Sequence, residues 1–311
     1  MSTSANKKVI IAALLGNTFI ALTKFAAAIF TNSSAMLSEG IHSLVDTGNQ
    51  ILLLYGLKRA KKPADEMFPF GHGKEVYFWS FVVAIMVFAV GAGVSVYEGV
   101  IRLREPEPVA NVVINYIVLV LALVFEGAAW FFAMREFSRQ KGQVSYIEAV
   151  QRAKDPSIFV VLFEDSAAIL GLLVALLATV LGQVTGNLYF DGIASIIIGL
   201  ILGMTAGWLA YETKGLLIGE RASADVIEGI RSIANAVTDV KHVNEIATMH
   251  MGPEFVLANL SLDFVDNIPS QSVEHTITEI TAQIKQHYPV VKRVFIEIES
   301  WRNHTSGTMT Q

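Results

Sequence analysis

His42 and Asp46 stand four residues apart in "SEGIHSLVDTGNQ", residues 38–50. On a helix that spacing stacks an imidazole and a carboxylate on one face, and Glu39 and Asn49 extend the stripe by one turn each way. An imidazole and a carboxylate one turn apart make half of a tetrahedral site for a divalent cation such as zinc. The other half must come from a second element. "FVVLFEDSAAILG" supplies two adjacent carboxylates, Glu164 and Asp165, which point about 100° apart around a helix. The same residues also suit a polar clamp in which His42 and Asp46 hydrogen-bond one helix to another.

Both stretches lie in runs apolar enough to cross a bilayer. Of 311 residues, 53% are hydrophobic and 16% charged, the balance of an integral membrane protein rather than a soluble domain. A charge at mid-bilayer costs on the order of several kcal/mol, so such groups pair or line a pathway. Six segments are expected to span: residues 9–30, 34–57, 74–101, 110–134, 157–182 and 190–214. The first follows Lys7 and Lys8 but, at roughly 20 residues, is long enough to span rather than act as a secretory signal.

Lys7, Lys8, Lys58, Arg59, Lys61, Lys62, Arg135, Arg139, Lys141, Arg152 and Lys154 fall on one side of the zigzag, and only Arg102 and Arg104 on the other. The positive-inside rule then puts both termini in the cytoplasm. No targeting sequence is recognisable, which fits a bacterial inner membrane. A net charge of -5 argues against nucleic acid as the main partner. With no cysteine, disulfides, thiolate metal sites and thiol nucleophiles are excluded. No phosphate loop, cofactor fingerprint or nucleophile with a His partner is present, so neither an enzyme nor a cofactor is expected.

After the sixth segment the texture changes. Two amphipathic runs, "ASADVIEGIRSIANAV" and "SVEHTITEITAQIKQHY", alternate with the strand-like "HVNEIATMHM", "FVLANLSLDFV" and "VKRVFIEIE". The order αββαβ predicts a small ferredoxin-like α+β domain. The expected organisation is a six-helix transmembrane bundle over residues 1–216, a cytoplasmic α+β domain over 217–301 and a disordered tail over 302–311. Within the bundle Asn17, Lys24, Glu98, Glu126 and Asp191 are weaker candidates, as suited to helix pairing as to transport, although Lys24 could neutralise a carboxylate. Met86, Met134 and Met204 read as packing residues.

These features together resemble the cation diffusion facilitators: six spans with both ends inside, "SSAMLSEGIHSLVD" in the second, "FPFGHGKE" leading into the third, an acidic fifth and an αββαβ cytoplasmic domain. "LFEDSAAILG" and "DPSIFVV" look like the branch that includes the mitochondrial zinc transporter of animals. The resemblance implies a homodimer in the lipid bilayer that exports Zn²⁺ or a related divalent ion in exchange for protons, by alternating access. It implies a transport site of His42, Asp46 and Asp165, with Val161 where members carry the fourth ligand, a histidine, and Glu164 as its replacement.

Asp65 and His72 match two ligands of a loop site in which Phe68 replaces a second histidine. His242 matches a ligand in the cytoplasmic domain, while Asn259, Glu297 and Glu299 stand where relatives have His, His and Asp. Lys74 and Glu220 match an ion pair that joins the membrane and cytoplasmic parts. Carboxylate in place of imidazole shifts a site toward harder ions such as Mn²⁺, so transport of Mn²⁺, Fe²⁺ or Co²⁺ is an alternative. Val161 and Phe68 also suit a degenerate member with a regulatory or partner-binding role.

Overall fold

The computed structural model describes residues 3–109, 111–141, 145, 149 and 154–308. Arg152, among the basic residues assigned to one side of the membrane, and tail residues 309–311 lie outside the described residues. The chain divides into two compact units, residues 1–61 with 75–214, and 62–74 with 215–311.

The first unit is a helical bundle. Its helices are α1 (Thr3–Thr31), α2 (Ser34–Arg59), α3 (Glu75–Arg104), α4 (Val112–Lys141), α5 (Pro156–Thr185) and α6 (Tyr189–Ile218). All but α2 are long and apolar enough to cross a membrane. At 26 residues α2 has the length, but its polar residues Ser34, Glu39, His42, Asp46, Asn49 and Gln50 are buried among its neighbours. The helix can therefore span without presenting charge to lipid. α2 packs on α1, α3 and α5, and α4 packs on α5 and α1.

Local chemistry explains the helix ends. Asp155 caps α5 by accepting from the Ser157 N–H at 3.0 Å, and Pro156 follows at the first helical position. Gly186 ends α5 with φ 68°. At the start of α2 the Ser33 hydroxyl oxygen accepts from the Met36 N–H. There Asp191 of α6 accepts from the Ser33 hydroxyl at 2.6 Å and from the Ser34 N–H at 2.7 Å. Its negative charge sits at the positive end of the α2 dipole, so Asp191 is a cap rather than a transport group. A π-helical stretch, Val87–Ala92, interrupts α3 and had no counterpart in the apolar pattern.

Below it α3 meets α6 at close quarters. A Cβ on Gly99 would lie 2.6 Å from Ile196 Cγ1 and 2.8 Å from the Gly192 carbonyl. Small residues let helix backbones approach in lipid, where packing rather than hydrophobicity drives association.

The second unit builds on a three-stranded sheet of order β1-β2-β3: β1 (Val240–Gly252), β2 (Phe255–Phe264) and β3 (Val291–Ile298). β1 and β2 are antiparallel, while β2 and β3 are parallel, joined by the crossover helix α8 (Ser270–His287). With α7 (Ala224–Asn235) ahead of β1, the order is the expected αββαβ. Alternate β2 residues Val256, Ala258, Leu260 and Leu262 face a core shared with Ile230 of α7 and Ile280 of α8.

Two boundaries depart from expectation. Residues 62–74 belong to the second unit, because Gly73 packs directly against the Met251 carbonyl and the Phe70 ring meets Phe295 edge-on at 6.4 Å. The tail does not begin as disordered chain: Trp301–Thr308 form helix α9. Its first turn is fastened, since the Trp301 N–H donates to Asp263 and the Asn303 and His304 amides bond back to the Ser300 carbonyl.

Gly99→Val should separate α3 from α6 and destabilise the bundle by about 1–3 kcal/mol, the usual range for overpacking. Gly127→Ala, where a Cβ meets nothing within 4 Å, should leave the thermal midpoint of the detergent-solubilised protein unchanged or higher.

Candidate metal centre

The acidic and imidazole side chains of α2 and α5 share one region of the first unit. His42, Asp46, Glu164 and Asp165 are 0, 2, 2 and 4% exposed, so none touches lipid or bulk solvent to any extent. His42 Nδ1 lies 3.4 Å from Asp46 Oδ1 within α2. The link from α2 to α5 is made one turn further along, where the Asn49 side-chain amide donates to Glu164 Oε1 at 2.8 Å. The clamp between these helices is thus Asn49 with Glu164. Neither ring nitrogen of His42 has a hydrogen-bond partner, nor do Asp46 Oδ1, Glu164 Oε2 and Asp165 Oδ2. Buried polar atoms are normally satisfied, so these orphaned atoms on α2 and α5 are open to a further partner.

Asp46 lies within electrostatic range of Glu164, Glu126 and Asp165. Even so, among the described residues no three His, Asp or Glu side chains are gathered closely enough to hold a metal ion. Like charges at this depth repel, so carboxylates approach one another closely when a proton or a cation lies between them. Val161 is buried in an apolar cluster with Leu53 and Phe159, so the position of the missing histidine carries only packing.

Next to these groups lies a buried ion-pair network centred on Lys24. The Lys24 ammonium of α1 donates to Glu39 Oε2 at 3.0 Å, to the Ser43 hydroxyl at 2.9 Å and to Glu126 Oε1 of α4 at 3.4 Å. Lys24 and Glu39 are fully buried, and Glu126 is 1% exposed. Gly171 of α5 makes room, since a Cβ there would collide with Glu39 Oε1. The sequence signal was a lone lysine in the middle of an apolar run, which has no tolerable environment in lipid without a carboxylate.

The remaining candidates lie in the second unit. Asp65 and His72 are paired, Oδ2 to Nε2, at 2.9 Å, with the Phe68 ring beside the imidazole. Asp65 Oδ1 accepts from the Met67 and Phe68 amides, so this carboxylate organises its loop. Those hydrogen bonds, from His72 first and then from Phe68, hold the Asp65 carboxyl below its ordinary value. His242 stands edge-on to Trp301 with ring centroids 4.0 Å apart. Glu299 Oε2 accepts from the Ser261 hydroxyl and lies 3.0 Å from His304 Nδ1. Glu297 is exposed on β3, opposite Ser261, and Asn259 pairs with Phe295. His242, Glu297 and Glu299 are therefore not brought together as a ligand set, because α9 takes up the histidine and the nearer glutamate. The Lys74 ammonium lies 3.4 Å from the Leu217 carbonyl and 3.7 Å from the Met249 sulfur. The Glu220 carbonyl accepts from the His250 N–H.

The family model described as "Cation efflux transmembrane domain" matches residues 10–218, and "Cation efflux protein, cytoplasmic domain" matches residues 222–301. The chain belongs to the cation efflux family, the cation diffusion facilitators. It is an integral membrane protein with a transmembrane domain followed by a cytoplasmic dimerisation domain. This family member is 33% identical over 268 residues to the proton-coupled zinc antiporter SLC30A9, mitochondrial, of Xenopus laevis, a match covering 85% of this chain and 48% of that one. With the Homo sapiens protein of the same name the identity is 32%, over 85% and 47% of the two chains. The chain thus spans about half the length of these relatives. It is 22% identical to the manganese efflux system protein MneP of Bacillus subtilis (strain 168), over 95% of this chain and 96% of that one.

Two predictions follow from the charges. Lys24→Met leaves Glu39 and Glu126 buried without a counter-ion and should cost about 3–5 kcal/mol, the range for breaking a buried pair, read as a lower thermal midpoint. For Asp65 the folded pKa lies below the unfolded value of about 3.9. Its stabilisation of the loop is therefore present above about pH 4 and is lost as pH falls through the depressed value. Protection of the Met67 and Phe68 amides in hydrogen exchange, corrected for intrinsic rates, should be flat from about pH 7 to 5 and fall below about 4, and should be weak throughout in Asp65→Asn.

Proposed function

We propose that the chain is a divalent cation efflux transporter, with Zn²⁺ the favoured cargo, that exchanges metal for protons by alternating access. The observation that carries this reading is the set of buried, unpartnered donor atoms of His42, Asp46, Glu164 and Asp165 on two helices already joined by Asn49 and Glu164. One imidazole with carboxylates suits a divalent cation, and His42 and the carboxylates are protonatable. Metal and protons compete for the same lone pairs, so each metal released can be replaced by protons taken up. The names of the relatives at 33 and 32% identity, zinc antiporters coupled to protons, support the same cargo and coupling. The cytoplasmic domain supports assembly as a homodimer, with Lys74 and Glu220 as an ion pair beside the end of α6. The bias of Lys and Arg supports cytoplasmic termini. Similarity to a Bacillus subtilis efflux protein over nearly the full length of both chains supports a bacterial plasma membrane.

A second cargo is favoured by one observation. Val161 removes an imidazole and leaves a carboxylate-rich donor set, which moves preference toward Mn²⁺. Uptake of Zn²⁺ and Mn²⁺ into everted vesicles, with and without a proton gradient, separates the two. Zinc uptake should exceed manganese uptake, depend on the gradient and be lost in Asp46→Ala/Asp165→Ala. Undiminished metal-coupled proton flux in that double variant would refute the site.

A further inference from the structure

The proposed cargo site has ligands from α2 and α5 only, and on α5 the usual nitrogen ligand is replaced by Val161, which is turned into apolar packing. Four donors from two helices, with one Glu164 oxygen already bonded to Asn49, leave a divalent cation open to a further one. The groups that could supply one are few, because a charged side chain at this depth must already be compensated.

Glu126 of α4 meets that condition. It is 1% exposed, and its two oxygens have different fates. Oε1 is the loosest of the three Lys24 partners, at 3.4 Å against 3.0 Å for Glu39 and 2.9 Å for Ser43. Charge-assisted N–H···O bonds run at about 2.7–2.9 Å, so Glu126 is held by attraction more than by a tight bond. Oε2 has no partner at all. The carboxylate is within electrostatic range of both Asp46 and Asp165, the two acids assigned to the cargo. One turn along α4, the Trp130 indole N–H donates to Ser166, the residue after Asp165, at 2.9 Å. That bond fixes the register of α4 on α5 beside the site.

We propose that Glu126 is a further cargo ligand, contributed by α4 through Oε2, beside the donors of α2 and α5. The inference rests on the reading of Asp46 and Asp165 as cargo ligands. No covalent bond breaks and no proton need move: Oε2 donates a lone pair to the cation while Oε1 stays on the Lys24 ammonium. Lys24 then acts as the internal counter-cation of the site. It holds Glu126 close when metal is absent and tempers its charge when metal is bound. A carboxylate shared between an ammonium and a dication also links α1 and α4 to the event sensed by α2 and α5.

The test is zinc binding to the purified full chain in lipid nanodiscs, titrated calorimetrically with buffered free Zn²⁺. Glu126→Gln keeps the size and an oxygen for Lys24, and should weaken binding at least tenfold while the metal-free thermal midpoint changes little. Asp46→Ala/Asp165→Ala should abolish the same binding, and if it does not, the cargo-site reading itself fails whatever Glu126 does. With that control intact, a Glu126→Gln protein binding zinc within twofold of wild type would overturn the proposal and leave Glu126 an anchor for Lys24. Should the glutamine variant not fold, Glu126→Asp retains the charge but shortens the reach by one methylene. It should then bind at least threefold more weakly, and wild-type affinity would overturn the proposal equally.

Discussion

An ionised group in hydrocarbon has to find its counter-charge inside the protein, and the arrangement of the bundle follows from that constraint. α2 carries a glutamate, a histidine and an aspartate within eight residues, and no lipid-facing orientation would accept them. Surrounded by α1, α3 and α5, it turns them all inward. Lys24 answers Glu39 and Glu126, which fastens α1, α2 and α4 at one level. Such a triad is weak evidence for stability, because desolvation offsets much of the attraction. Its value lies in specificity, since few other packings of three helices would keep all three charges paired.

Around this network the polar groups separate into two kinds. Some make structural bonds: Asp191 on the α2 N-terminus, the Asn115 amide N–H with Thr179, the Asn49 amide N–H with one oxygen of Glu164. Others are buried and unsatisfied: the His42 ring nitrogens and single oxygens of Asp46, Glu126, Glu164 and Asp165. Each orphaned polar atom costs about 1–3 kcal/mol, and Asn17, Glu39, Asn49, Gln50 and Asn115 carry such atoms too. The carboxylates among them on α4 and α5 lie within electrostatic range of Asp46 on α2.

The second unit joins the bundle covalently at three points, after Lys61, before Glu75 and after Lys214. Both ends of the 62–74 segment run directly into α2 and α3, and α2 carries the donor stripe. Its own fastenings are short-range: Asp65 caps its turn, Gly73 lies on the Met251 backbone and Lys74 reaches the Leu217 carbonyl.

The amino-acid sequence by itself determined the class and most of the element order. Periods of 3.6 and 2 and the lengths of apolar runs are local properties, and the αββαβ order and the six helices follow from them. It also singled out His42, Asp46, Glu164 and Asp165, because charge within an apolar run is conspicuous without any structure. Partnership between distant residues was decided only by tertiary structure. That Lys24 meets Glu39 and Glu126, that Asn49 rather than His42 binds α5, and that Trp301 covers His242 all depend on rotation and register between elements, which spacing along the chain does not encode. The same holds for residues 62–74, whose place in the second unit follows from one glycine allowing two backbones to touch.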